Sequence, residues 1–226
     1  MKVAEIISEI KSQFNPKNIE GMARFGISSK NTYGVPIPFL RNLAKKVGKN
    51  HELALELWDS GIHEARILAG FLDEPDKVSE KQLETWVLDF DSWDVCDQVC
   101  SSLFDKTEFA YPKVFEWTKR DEEFVKRAGF VLMACLSVHD KNMNDGEFEK
   151  FFPIIMREAK DERNFVKKAV NWALRQIGKR NKRLNAKALK TAKEIQKIDS
   201  KAARWIANDA IWELESKAVK RRLASE

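Results

Sequence analysis

The sequence predicts an all-α protein built as a solenoid of helical repeats. Three observations lead there. Apolar residues recur at steps of three and four through nearly the whole chain. Nine Gly and six Pro in 226 residues are too few for a many-turned β-sandwich or barrel, and no two runs form a strand pair around a hairpin turn. A short helical segment also recurs with a spacing near that of known helical repeats.

The elements follow in order. VAEIISEIKSQF carries an apolar stripe at Val3, Ile6, Ile7, Ile10 and Phe14. PIPFLRNLAKKVG opens with prolines, which suit a first helical turn, and ends at Gly48, placed as a C′ glycine. NHELALELWDSG starts near Asn50 and stops at Gly61, and HEARILAGFLDEP ends before Pro75. Ser79 is placed to cap SEKQLETWVLDF. DSWDVCDQVC, TEFAYPKVFEWTK, EEFVKRAGFVLMACLS, DGEFEKFFPIIMREA, ERNFVKKAVNWALRQIGK, NAKALKTAKEIQK and SKAARWIANDAIWEL complete the series. Short polar joins make antiparallel pairs of them. The closing AVKRRLASE reads as a frayed end, so the expectation is one domain over 1–226 with 217–226 at its edge.

Phe124-Val125-Lys126-Arg127-Ala128 matches Phe165-Val166-Lys167-Lys168-Ala169, 41 residues later. Lys201-Ala202-Ala203-Arg204-Trp205 is a weaker third copy, and Glu64 to Ala69 an earlier echo. A period near 40 in a helical chain marks HEAT or armadillo repeats, because one helix pair cannot bury its apolar stripe without a neighbour. The expectation is six or so HEAT-like pairs, curved, with a concave basic groove.

Charge is unevenly distributed. Residues 157–226 carry 20 Lys/Arg against 9 Asp/Glu, a net of +11, while the first 156 carry 20 against 26, a net of −6. A basic C-terminal third points to a polyanionic partner. No stretch approaches the ~20 apolar residues of a membrane span, and the N-terminus lacks an apolar signal core, so the expected location is cytoplasmic, away from membranes. Cys96, Cys100 and Cys135 form no disulfide framework and read as small buried thiols. His51, His63 and His139 have no metal-ligand spacing to them, and there is no P-loop or GxGxxG. No metal or cofactor is expected.

Trp58, Trp86 and Trp117 sit in ordinary amphipathic patterns and read as core. Trp93 and Trp172 keep different company. Trp93 lies four residues before Asp97, so both leave one helix face. Trp172 lies four after Lys168 and three before Arg175. Aromatic faces, one carboxylate and flanking cations suit a cationic base on a phosphate backbone. Alkylation at N3 or N7 makes a purine such a base, and a good leaving group. One carboxylate is then enough to stabilise an oxocarbenium-like transition state and orient water. Asp94, about 100° round an ideal helix from Trp93, takes a capping or salt-bridge role.

Met22-Ala23-Arg24-Phe25, GVPIPFLR ending at Arg41, Ser92 to Asp97, the KRA around Arg127 and KKAVNWALR from Lys167 to Arg175 occur in a characteristic order. With them, roughly residues 5–215 resemble the HEAT-like repeat DNA glycosylases of the DNA alkylation repair (AlkD-type) family. The resemblance implies excision of cationic N3- and N7-alkylpurines from duplex DNA, without flipping the lesion into a pocket, by a monofunctional glycosylase expected to act as a monomer. It places Asp97 at the catalytic carboxylate and Trp93 and Trp172 against the lesioned deoxyribose. Arg127 falls near the acid and the DNA backbone, Arg41 and Arg175 at phosphates, and Lys168 and Phe25 among the DNA contacts. Phe25 stands where the family often has Tyr, which keeps the ring and loses the hydroxyl. Two alternatives are a non-catalytic binder of unusual DNA structures on the same scaffold and a protein-binding HEAT scaffold.

Overall fold

The computed structural model describes residues 1–225, and among them every regular element is a helix. By internal contacts the chain divides into two compact units, Met1–Phe109 and Ala110–Glu226.

The first unit holds α1 (Val3–Ser12), α2 (Pro16–Arg24), α3 (Ile37–Val47), α4 (His51–Asp59), α5 (His63–Leu72), α6 (Glu80–Leu88) and α7 (Trp93–Ser102). Helix α5 is its centre, packed against α3, α4 and α7. It is buried over most of its length, from His63 to Leu72. Trp58 and Trp86 are core, as the sequence predicts, at 2% and 3% exposure. Their rings stack at 4.0 Å with 2° between planes, and the Trp58 Nε1–H donates to Asp89 at 2.8 Å. Helix α2 is absent from the elements read from the sequence, and none of its residues is buried. Capping builds it instead: Pro16 occupies its first turn and the Asn15 side chain accepts the Asn18 N–H at 3.2 Å. Its return loop depends on Gly34 at φ +73°, where a Cβ would meet the Asn15 carbonyl oxygen at 2.4 Å.

The second unit holds α8 (Ala110–Trp117), α9 (Glu123–His139), α10 (Asp145–Glu149), α11 (Phe151–Glu158), α12 (Asn164–Gly178), α13 (Lys182–Ile195), α14 (Lys201–Leu214) and α15 (Lys217–Ala224). Helix α9 packs on α8 and α12, and α12 in turn on α13 and α14. The internal repeat is visible in three dimensions. Glu122 and Arg163, the N-cap residues of α9 and α12, share φ −63° and ψ 126°. The Phe124 and Phe165 rings that follow them stack at 5.6 Å. Gly178 lets three helices close up, since a Cβ there would lie 2.8 Å from both Ala188 Cβ and Leu214 Cδ2. Trp117 is fully buried, as predicted.

Three boundaries differ from the sequence pattern. The run from 145 to 159 breaks at Lys150 into α10 and α11. Helix α13 begins at Lys182 because Asn181 caps it, accepting the Leu184 N–H at 2.9 Å. Residues Lys217–Ala224 form a helix instead of fraying, with Ser216 as its cap and Val219 and Leu223 buried; the last residue of the expected frayed segment, Glu226, lies outside the described residues. Cys96, Cys100 and Cys135 are buried as expected. Among the described residues no helix is long and apolar enough to cross a membrane.

Candidate functional site

The residues singled out by sequence fall into one group in each unit. In the first, α7 begins at Trp93, so the indole stands at the mouth of a helix whose inner face, Val95, Cys96, Val99 and Cys100, is buried. Asp97 follows one turn later and is half-buried, on the flank of that helix and not on its core face. The Trp93 Nε1–H donates to the carbonyl oxygen of Phe25 at 3.1 Å. This fixes the indole by main chain from the end of α2, while the Phe25 ring is 72% exposed. Arg41, on α3, lies over the Phe71 ring at 5.7 Å and points an Nη2 at Gln98 Oε1, 3.4 Å away and one residue past Asp97. Phe25, Trp93, Asp97 and Arg41 are therefore brought into one neighbourhood.

Asp94 anchors α7. Its Oδ1 accepts the Val95 N–H at 3.0 Å, and its Oδ2 lies 2.9 Å from Nε2 of His63, the first residue of α5. Burial disfavours the imidazolium of His63, which is 4% exposed. The Asp94 hydrogen bond and charge, with Glu64 and Asp91, outweigh that, and the His63 pKa is raised above 6.5. Beside this pair lies a cavity of about 440 Å³, whose walls include Met22, Phe25, Ile67, Trp93, Asp94 and His63.

In the second unit, α12 carries Lys168, Trp172 and Arg175 along one face. Lys168 is exposed and Trp172 half-buried. Arg175 is tied to Glu213, and to Asp209 at 3.4 Å, so its charge is already partly answered. Arg127 is 5% exposed, and its Nη1 donates to the Phe165 carbonyl oxygen at 2.6 Å. The residue that the sequence reading places at the DNA backbone is thus a buried tie between α9 and the start of α12. Its neighbour Lys126 is buried too, paired with Glu158 at 2.8 Å. The exposed indoles of this unit are Trp205, at 40%, and Trp212, at 77%.

Sequence reasoning misses His63, which it weighs only as a metal ligand. The signal is an offset of 31 residues that joins Tyr33 to Glu64, Trp58 to Asp89 and His63 to Asp94. Among the described residues no group of three or more His, Cys, Asp or Glu is placed to hold a metal ion.

Residues 6–214 match the family model described as DNA alkylation repair enzyme. The chain belongs to the DNA alkylation repair enzyme family. Uncharacterized proteins of Listeria innocua serovar 6a and Listeria monocytogenes serovar 1/2a are each 25% identical over 202 residues, covering 86% of this chain and 86% of their own. A solved structure is similar at a TM-score of 0.80, with 19% identity, over 99% of this chain and 96% of its own. It belongs to a new family of proteins related to the HEAT-like repeat DNA glycosylases, with affinity for branched DNA structures. For this alkylation repair family member, that likeness establishes the HEAT-like all-α fold predicted from the repeat.

Proposed function

We propose that the protein is a DNA glycosylase that hydrolyses the N-glycosidic bond of cationic N3- and N7-alkylpurines in duplex DNA, without metal or cofactor and without drawing the lesion into a pocket before cleavage. The observation that carries this is on α7: a half-buried carboxylate, Asp97, one turn from an indole that the Phe25 carbonyl holds in place. The alkylated base carries the positive charge that makes it leave as a neutral molecule, so no general acid is needed. As the glycosidic bond breaks, charge moves to the sugar carbon. A fixed carboxylate stabilises that charge and orients the water that attacks it. Trp93 supplies a face to the cationic nucleotide, a contact worth ~0.5–2 kcal/mol.

Affinity comes from the basic second unit. Lys168 is exposed and available to a phosphate, and the exposed Arg41, beside Gln98, serves the same purpose. Arg175 reaches a phosphate in competition with Asp209 and Glu213. Arg127 acts as an anchor, holding the start of α12 so that Lys168 and Trp172 keep their orientation. Such binding is sequence-neutral and falls steeply with salt.

The test is release of 7-methylguanine and 3-methyladenine from alkylated duplex DNA, wild type against Asp97→Asn. Loss of about 10²–10³ in rate with binding retained is expected, the range seen when one preorganised electrostatic partner is removed. Family membership and the four neighbouring residues of the first unit support this reading. A second reading is favoured by one observation, the branched-DNA affinity of the structurally similar family. Under it the same scaffold binds distorted DNA without cleaving it. Wild-type protein that binds alkylated duplex and junctions yet releases no base would establish the second reading in place of the first.

A further inference from the structure

The second unit contains a polar cleft of about 370 Å³ whose residues the glycosylase reading does not use. Three cations line it from three places in the chain: Lys141 just past α9, Arg180 between α12 and α13, and Arg222 on α15. The one acidic residue in its walls is Asp145, whose Oδ1 accepts an N–H of the Asn181 side chain at 2.8 Å. Arg180 is half-buried and its head is fixed. Nη1 donates to the Ser137 carbonyl oxygen at 3.1 Å, Nη2 donates to that of Met143 at 3.0 Å, and the guanidinium carbon lies 4.4 Å from the centre of the Phe148 ring. Ser137 and Met143 line the cleft themselves, so the head sits in its wall. These bonds use two of the five N–H groups of a guanidinium. Lys141 and Arg222 are exposed, and among the described residues none of the three cations is paired with a carboxylate. The cations at the start of α13 behave differently. Arg183 pairs with Glu149 at 2.8 Å, and Lys187 pairs with the same carboxylate. The cleft therefore gathers positive charge of a kind that the adjoining helix neutralises.

From this convergence we infer that the cleft binds a phosphomonoester dianion. Three cations less one carboxylate leave two formal positive charges in the walls. A dianion matches them, and a singly charged phosphodiester answers only one. A guanidinium already held by two carbonyls loses little freedom when its remaining N–H groups turn to a ligand. Its fork suits two oxygens of one phosphate, and Arg222 offers a second fork and Lys141 a point charge. Donors arriving from three elements suit a tetrahedral anion better than a planar carboxylate. None of these residues belongs to the proposed DNA contacts and no bond is cleaved, so the site stands or falls apart from the glycosylase reading. The dianion has two possible sources, a free phosphorylated small molecule or the terminal phosphate of a broken DNA strand.

The experiment titrates the full chain by calorimetry with methyl phosphate and with dimethyl phosphate. It uses phosphate-free buffer of fixed ionic strength at about pH 8, well above the second phosphate pKa of about 6. Saturable binding of methyl phosphate with a Kd of about 1 mM or tighter is expected, and dimethyl phosphate, with one charge fewer, should bind about tenfold more weakly. Lys141→Gln and Arg222→Gln should each weaken methyl phosphate about tenfold. Both side chains are exposed, so the melting temperature should not move. Lys190→Gln removes the same charge from an exposed position of α13 outside the cleft and should leave the affinity within about twofold, because salt screens distant charge. Absence of saturable binding by wild type, equal affinity for the diester, or an equal loss in Lys190→Gln would overturn the inference. A duplex with 5′-phosphates, compared with its 5′-hydroxyl twin, then assigns the source. Tighter binding of the phosphorylated duplex that disappears in Arg222→Gln supports a DNA end, and equal binding of the two duplexes beside intact methyl phosphate binding supports a free phosphorylated molecule.

Discussion

The two units solve the same packing problem with different chemistry. The first carries 13 Lys/Arg against 18 Asp/Glu over residues 1–109, and the second 27 against 17, a net of −5 beside a net of +10. In the first, successive elements are tied at 31-residue offsets by a main-chain-to-carboxylate bond, an indole-to-carboxylate bond and a histidine–aspartate bond. In the second the offset is 38, joining Arg127 to Phe165, Asn171 to Asp209 and Arg175 to Glu213. The lesson is a division of labour. The mildly acidic unit spends its carboxylates on ties such as Asp89 to Trp58 and Asp94 to His63. The basic unit keeps enough lysines clear of its internal ion pairs to attract a polyanion.

This contrast can be broken most forcefully at the tryptophan stack. Trp58→Ala removes a ring buried against Trp86 and takes the indole donor from Asp89, leaving Arg66 at 3.6 Å as its partner. It should destabilise the first unit by about 3–5 kcal/mol, read by urea unfolding. Amide exchange in α9 should be far less affected than in α5. The corresponding test in the second unit is Gly178→Ala, where the added methyl meets Ala188 and Leu214 at 2.8 Å. Overpacking of that kind costs about 1–3 kcal/mol, and here it should be exchange in α12 to α14 that accelerates.

The histidine–aspartate tie gives the first unit a pH signature. Because the folded-state pKa of His63 is raised, its pairing with Asp94, aided by Glu64 and Asp91, contributes stability that is fully present below pH 6.5. That contribution is lost as pH rises through the folded-state value. Thermal melts should therefore show a fall in stability on going from pH 6 towards alkaline conditions. Asp94→Asn, which keeps an acceptor for the Val95 N–H, should flatten it. The smallest effect belongs to the surface of the second unit. Lys168→Ala should leave stability within about 0.5 kcal/mol. It should lower the salt dependence of duplex binding by roughly one phosphate contact, measured as the slope of log affinity against log salt.

Legibility in the sequence divides along the same line. In the second unit the 41-residue copy predicts the repeat, and the structure returns it as matching caps and stacked phenylalanines. Helix periodicity and caps such as Ser79 are local, and local signals survive folding. What could not be read depends on long-range burial. Arg127 and Lys168 occupy equivalent places in the two copies, yet one is buried and the other exposed. Only the identity of the neighbouring element decides that. Helix α2 carries Ile19, Met22 and Ala23 at helical spacing yet buries none of its residues, so its pattern alone does not say how it packs. Asp97 and Trp93 were legible because one turn of helix joins them. His63 was not, because its partner Asp94 lies 31 residues away.

The hydrogen bond from Trp93 to position 25 ends on a carbonyl of the main chain. Every amino acid possesses that acceptor, so the indole keeps its tether whatever side chain evolution installs there. Position 25 is thus free to drift between phenol, phenyl and smaller groups. A saturation library at this one codon should leave the Trp93 tether intact in each folded variant.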